Sequence, residues 1–148
     1  MFEPNRLRLE RLAARHSARL AAADRPEEAA FLREFAELRD RVLRPVLEEC
    51  AEPLRRAGND PRILVDAGHS QPSIELALGL RGGRARSNRV GFAVIRWEGY
   101  PLQILAYLEV NPPPFDLERF ARAAELNAAR VEQMVVDAIE HVITASTP

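Results

Sequence analysis

The chain has no lysine: all 21 of its basic residues are arginine. With abundant Ala, Leu, Pro and Glu, this reads as the residue usage of a high-GC bacterial genome. A surface arginine is then simply the available cation, not a sign of guanidinium chemistry. A single cysteine, Cys50, excludes an internal disulfide and suits a reducing cytoplasm. No apolar run approaches the roughly 20 residues that a membrane span needs. The start, MFEPNRLRLERL, alternates charge with leucine and lacks the apolar centre and small-residue cleavage site of a secretory signal. A cytoplasmic location is expected. No charge of one sign dominates either, since the net charge is −1. Residues 1–60 balance 12 arginines against 12 acids, which gives no long-range pull on nucleic acid or anionic membrane.

Metal-ligand patterns are also missing. His16, His69 and His141 are far apart and Cys50 has no near partner, so no pair has zinc-type spacing. Asp66 and His69 in VDAGHS suggest half of a hydrolytic triad, but Ser70 adjoins His69 and is badly placed as its nucleophile. A turn ahead of Gln71-Pro72 accounts for the segment better. No catalytic residue, cofactor or metal site is expected.

What is present is periodicity. At 148 residues the chain is one domain by size. Leu9, Leu12, Ala13, His16 and Leu20 repeat at helical spacing over residues 5–22. Asp24, Pro26 and Glu27 then resemble the N-cap, early proline and early acid of a second helix. Phe31, Phe35, Leu38, Val42, Val46 and Cys50 form its stripe, with a bend expected near 41–45 at Pro45, fraying beyond 50, and a stop at Gly58. Residues 1–58 therefore read as a helical hairpin.

Residues 62–110 carry four alternating runs, RILVDA, SIELALGL, RVGFAVIR and LQILAYLEV, separated by turn residues: an antiparallel meander. A type I turn at Trp97-Glu98 with Gly99 as a left-handed bulge residue places Val90, Phe92 and Val94 on one face with Leu102, Ile104, Ala106 and Leu108. Ile74, Leu76, Leu78 and Leu80 continue that face. After NPPP, Asp116 resembles an N-cap and Phe115 a staple to Phe120, so residues 115–146 read as one long C-terminal helix. Leu117, Phe120, Ala124, Ala128, Val131, Val135, Ala138 and Val142 make its stripe, with Asn127 beside it as an exposed flank residue. The expected fold is α+β: an N-terminal helical pair, a four-stranded antiparallel meander and a long C-terminal helix. That order of elements resembles RWD-like interaction domains, although no motif accompanies it.

Three surfaces are candidates for binding. The loop RGGRARSNR would bring Arg81, Arg84, Arg86 and Arg89 to an anion or nucleic acid. It has no aromatic residue and no helix to follow it, so a solvated hairpin loop is the leading reading and nucleic acid the runner-up. The second sheet face, with Ala77, Ala93, Ile95, Leu105 and Tyr107, is too apolar for a fully wet face. It reads as a helix seat, a partner interface or the wall of a small-ligand site. Third, a C-terminal helix of about 45 Å outruns strands of about 27 Å. Its overhang, Val135, Ile139, Val142 and Ile143, together with Phe31, Phe35 and Leu38, suggests a twofold homodimer that crosses like helices. The expected function is a non-enzymatic interaction or adaptor module that self-associates through its long helices or binds another protein.

Overall fold

The computed structural model describes residues 2–68, 71–82, 88–97, 99–110 and 115–146. Its elements are α1 (Glu3–Leu38), a π turn (Arg39–Leu43), α2 (Arg44–Arg56), β1 (Arg62–Asp66), β2 (Ser73–Ala77), β3 (Arg89–Ile95), β4 (Gln103–Glu109), β5 (Phe115–Phe120), a 3-10 turn (Ala123–Glu125) and α3 (Ala128–Ser146). The class is α+β, with helices on both sides of an antiparallel sheet in the chain order.

The expected helical pair is instead one continuous rod from Glu3 to Arg56, about 80 Å long at 1.5 Å per residue. Helix runs through Asp24-Arg25-Pro26 without a break. The flanking Ala, Leu, Glu and Arg are strong helix formers, and the fixed φ of proline is itself helical. The chain therefore loses one backbone hydrogen bond there, not a whole turn. Pro45 is accommodated differently. Its ring would crowd the carbonyl one turn earlier, and the π turn that ends at Leu43 widens the backbone just before it, with the Arg44 N–H bonded to the Arg39 carbonyl. In place of the bend expected near 41–45 the helix carries this π turn, and the expected fraying beyond 50 does not occur. Gly58, at φ 95°, closes the rod: its N–H bonds the Arg55 carbonyl and that of Asn59 the Leu54 carbonyl, both at 3.0 Å.

The sheet has five strands in the order β1-β2-β3-β4-β5, one more than the sequence suggested. The extra strand is the segment read as the start of the last helix. Phe115–Phe120 pairs along β4, so Asp116 is no cap, and α3 begins only at Ala128. The pairing supplies partners for the edge of β4, which would otherwise be bare. A bulge between Ala106 and Tyr107 shifts the register, so that Phe120 pairs with Ile104 and Phe115 with Leu108. Asn127 is the true N-cap: its side-chain oxygen accepts from the Arg130 N–H at 2.8 Å.

The inner face is the expected one. Val90, Phe92 and Val94 stand opposite Leu108, Ala106 and Ile104, and Ile74 and Leu76 opposite Phe92 and Val90. The turn into β4 differs in detail. Tyr100 N–H bonds the Trp97 carbonyl at 3.0 Å with Gly99 at φ 83°, so the left-handed glycine is confirmed. The turn sits one residue later than predicted, and the ladder starts only at Gln103. Pro101, which has no N–H, cannot join it. The shift in pairing is two residues, and the faces are preserved.

Both helices lie on that inner face, α2 against β1 and β2, α3 against α2 and β3. Phe35, Leu43, Leu47, Ile74, Leu76, Phe92, Ile104, Phe120, Val131 and Val135 form the centre of the core, each almost fully buried. Each such side chain contributes roughly 1.5–3 kcal/mol of burial.

Candidate functional site

The arginine loop is divided by the fold. Arg84 and Arg86 lie outside the described residues. Arg81 is exposed, and its backbone N–H bonds the Asn59 side chain at 2.8 Å, which ties the base of the loop to the end of the rod. Asp60 N–H bonds the Gly79 carbonyl at 3.0 Å beside it. Arg89 is not in the loop at all. It opens β3 and faces the sheet's second face, where its guanidinium meets Glu75 at 3.4 Å. The two described arginines of the proposed set therefore do not converge.

That second face carries no helix among the described residues. Ala77, Ala93, Ile95, Leu105 and Tyr107 are all half-buried there, as the alternation implied. Its centre is polar. The Tyr107 hydroxyl donates to Glu75 at 2.6 Å, and the Glu75 carboxylate also accepts from Arg89. Burial, and then the bond to Glu75, pushes the Tyr107 phenol well above its ordinary value. Glu75, Arg89 and Tyr107 belong to β2, β3 and β4, so the cluster staples three strands together across Gly91, where a Cβ would stand 2.7 Å from the Tyr107 oxygen. Arg89 Nε and Asn88 Oδ1 are buried without hydrogen-bond partners. Chemically the cluster holds Tyr107 neutral and Glu75 doubly bonded, which is a structural arrangement more than a reactive one. Among the described residues no group of three His, Cys, Asp or Glu side chains converges. Asp66 accepts from the Gly68 N–H at 2.8 Å, the local turn expected of VDAGHS; His69 and Ser70 lie outside the described residues.

The third candidate surface is rearranged. Phe35, Leu38, Val135 and Val142 are buried in the chain's own core, with Phe31 and Ile139 packed against it. Only Ile143, 41% exposed, remains at the surface. At 19 residues α3 spans about 28 Å instead of 45 Å, and Val131, Val135 and Val142 along it are buried, so the expected apolar overhang disappears. The overhang belongs to α1 instead. Residues 2–17 are exposed throughout, and along one line lie Phe2, Leu9 and Leu12, 82%, 53% and 49% exposed. The stripe was visible in the sequence. What hid its exposure was the expected hairpin, which would have folded it onto the second helix.

Farther along the rod, a shallow groove of about 270 Å³ opens between the end of α1 and the 3-10 turn, walled by Glu34, Glu37, Leu38, Arg41, Val42 and Arg122. Comparison with protein-family models, with curated proteins and with solved structures returned no match.

Proposed function

We propose that the chain is a non-enzymatic protein-interaction module, an adaptor of a bacterial cytoplasm that self-associates through its long helices. The observation that carries this reading is the arm formed by residues 2–17. It presents Phe2, Leu9 and Leu12 on one line, exposed among the described residues. A helix of about four turns is marginal in water by itself, because nucleation is costly and few hydrogen bonds repay it. Contact with another chain removes the apolar line from water at about 25 cal/mol per Å². The rest of the molecule serves as a rigid base, since α2, α3 and the sheet enclose one continuous core.

Light scattering over a hundredfold range up to about 100 µM, compared with a chain lacking residues 2–17, tests the reading by mass action. The full chain should exceed its single-chain mass of 16.6 kDa as concentration rises. The shortened chain should stay at one-chain mass with an unchanged near-UV spectrum. A full chain that holds 16.6 kDa throughout would remove the self-association on which the reading rests.

A further inference from the structure

Charge is distributed unevenly along α1. Residues 2–17 contain four arginines and two glutamates; residues 27–37 contain four glutamates and one arginine. In the arm, Arg8, Arg11 and Arg15 flank the line of Phe2, Leu9 and Leu12 on one side. All three are exposed, and among the described residues no ion pair involves them. In the later segment Glu27, Glu34 and Glu37 line one side of the helix, with the small Ala30 between them. At 3.6 residues per turn the apolar line of the arm and this acidic line fall on the same side of the rod. Arg122, at 4.0 Å, is the nearest cation to Glu34, and the groove beside Glu34 and Glu37 continues over Leu38 and Val42.

We propose that a second copy of this chain occupies that side of the rod, antiparallel, with each arm laid along the acidic segment and groove of its partner. The inference rests on the self-association proposed above and specifies its geometry. Arg8 and Arg15 are seven residues apart, as are Glu27 and Glu34. An antiparallel pair therefore sets Arg8 opposite Glu34 and Arg15 opposite Glu27 in one register. The same register sets Leu12 over Ala30 and brings Phe2 toward the groove at Leu38 and Arg41. The twofold axis then crosses the helix near residue 21, and each contact occurs twice. A parallel match of the same charges would displace one chain by more than half of α1 and build an open filament in place of a closed pair. A standard interface of about 1,600 Å² asks for about 400 Å² from each of the four contacting segments, which an arm about 24 Å long supplies from roughly half its circumference. The arginine–glutamate pairs fix orientation and partner choice more than affinity.

Disulfide trapping with Leu12→Cys and Ala30→Cys in a Cys50→Ser background tests the register. Within one α1 the two positions are about 27 Å apart, so a bond within the extended rod is impossible. The double variant should give a covalent dimer under mild oxidation, and either single variant should stay uncrosslinked. Charge reversal at Arg8 and Arg15 to Glu should weaken association by about tenfold or more, and adding Glu27→Arg and Glu34→Arg should restore it. A covalent monomer from the double variant would mean that the arm folds back on its own chain, and it would overturn the proposal. Cross-linking by Leu12→Cys alone would indicate parallel arms; it would overturn this geometry while leaving self-association intact. Absence of any dimer by light scattering would remove both.

Discussion

Leucine occurs at both ends of the helical rod in opposite surroundings. Leu43 and Leu47 are 0% exposed, enclosed by the sheet and α3, whereas Leu9 and Leu12 are 53% and 49% exposed. Both stretches are helical with similar neighbouring residue types, apart from the π turn that ends at Leu43; what differs above all is what the helix passes. Local propensity is enough to continue a helix, but only packing makes it part of the folded unit. On the proposed reading, folding stability and association fall to different parts of one element.

The largest effect should come from setting these leucines against each other. Leu47→Ala should cost about 2–5 kcal/mol, the removed apolar area plus a cavity that the close-packed core cannot collapse. Leu12→Ala should leave folding within about 0.5 kcal/mol of the parent, as an exposed change does, and weaken self-association instead. Urea unfolding at low protein concentration measures the first and light scattering the second. Comparable losses of folding stability from both would show that the arm is held by its own chain and would break the comparison.

The inner half of the molecule was the legible half. Alternation in residues 73–110 assigned Ile74, Leu76, Val90, Phe92, Val94, Ile104, Ala106 and Leu108 to one face, because a buried sheet face has a strict period of two. The fifth strand was hidden because its bulge breaks that period: Phe115 and Phe120 are five apart, which reads as a staple around a helix start. Asn127 is as good a cap as Asp116, and nothing local ranks one above the other; pairing with the bare edge of β4 decides it. Pro26 misled for a similar reason, since a proline at the start of a helix and one inside it carry the same local signal. Tyr107 was in view as part of the second face and Arg89 only as part of the loop, so the sequence did not bring Glu75, Arg89 and Tyr107 together as a cluster. Its closeness depends on a register fixed two residues away from the one predicted.

Two glycines sharpen the contrast at an intermediate scale. Gly79 and Gly99 both have positive φ, 55° and 83°. A Cβ at Gly79 would lie 2.0 Å from the Asp60 carbonyl oxygen, whereas at Gly99 it would meet nothing within 4 Å. Gly99→Ala should therefore cost about 1–2 kcal/mol of backbone strain alone, and Gly99→Asn clearly less, since asparagine tolerates the left-handed region. Gly79→Ala should add the displacement of backbone, for about 2–4 kcal/mol in all. Asparagine should bring no relief there. Thermal unfolding of the four variants checks this, and a Gly79→Asn protein as stable as Gly99→Asn would contradict the close approach of Asp60.

The smallest effect separates the two tyrosines. Tyr100 is 73% exposed, and Tyr107 is half-buried with its hydroxyl on Glu75 at 2.6 Å. Tyr100→Phe should change stability by no more than a few tenths of a kcal/mol, and Tyr107→Phe should cost about 1–2 kcal/mol for a lost bond to a carboxylate. Alkaline pH separates them further. Burial and the Glu75 bond raise the Tyr107 pKa in the folded chain, while an unfolded tyrosine ionises near pH 10. Above that pH the unfolded state releases a proton that the folded state keeps. The contribution of Tyr107 is thus complete below about pH 10 and declines as pH rises, by at most about 1.4 kcal/mol per unit and less where the ring edge meets solvent. Burial, with Glu132 and Glu49 behind it, also raises the Cys50 thiol, so the comparison belongs in a Cys50→Ala background. Urea midpoints between about pH 8 and pH 11 should fall more steeply for Tyr100→Phe, which retains Tyr107, than for Tyr107→Phe. Parallel curves would mean that Tyr107 ionises in the folded chain as freely as in the unfolded one, and that the staple across β2, β3 and β4 is open in solution.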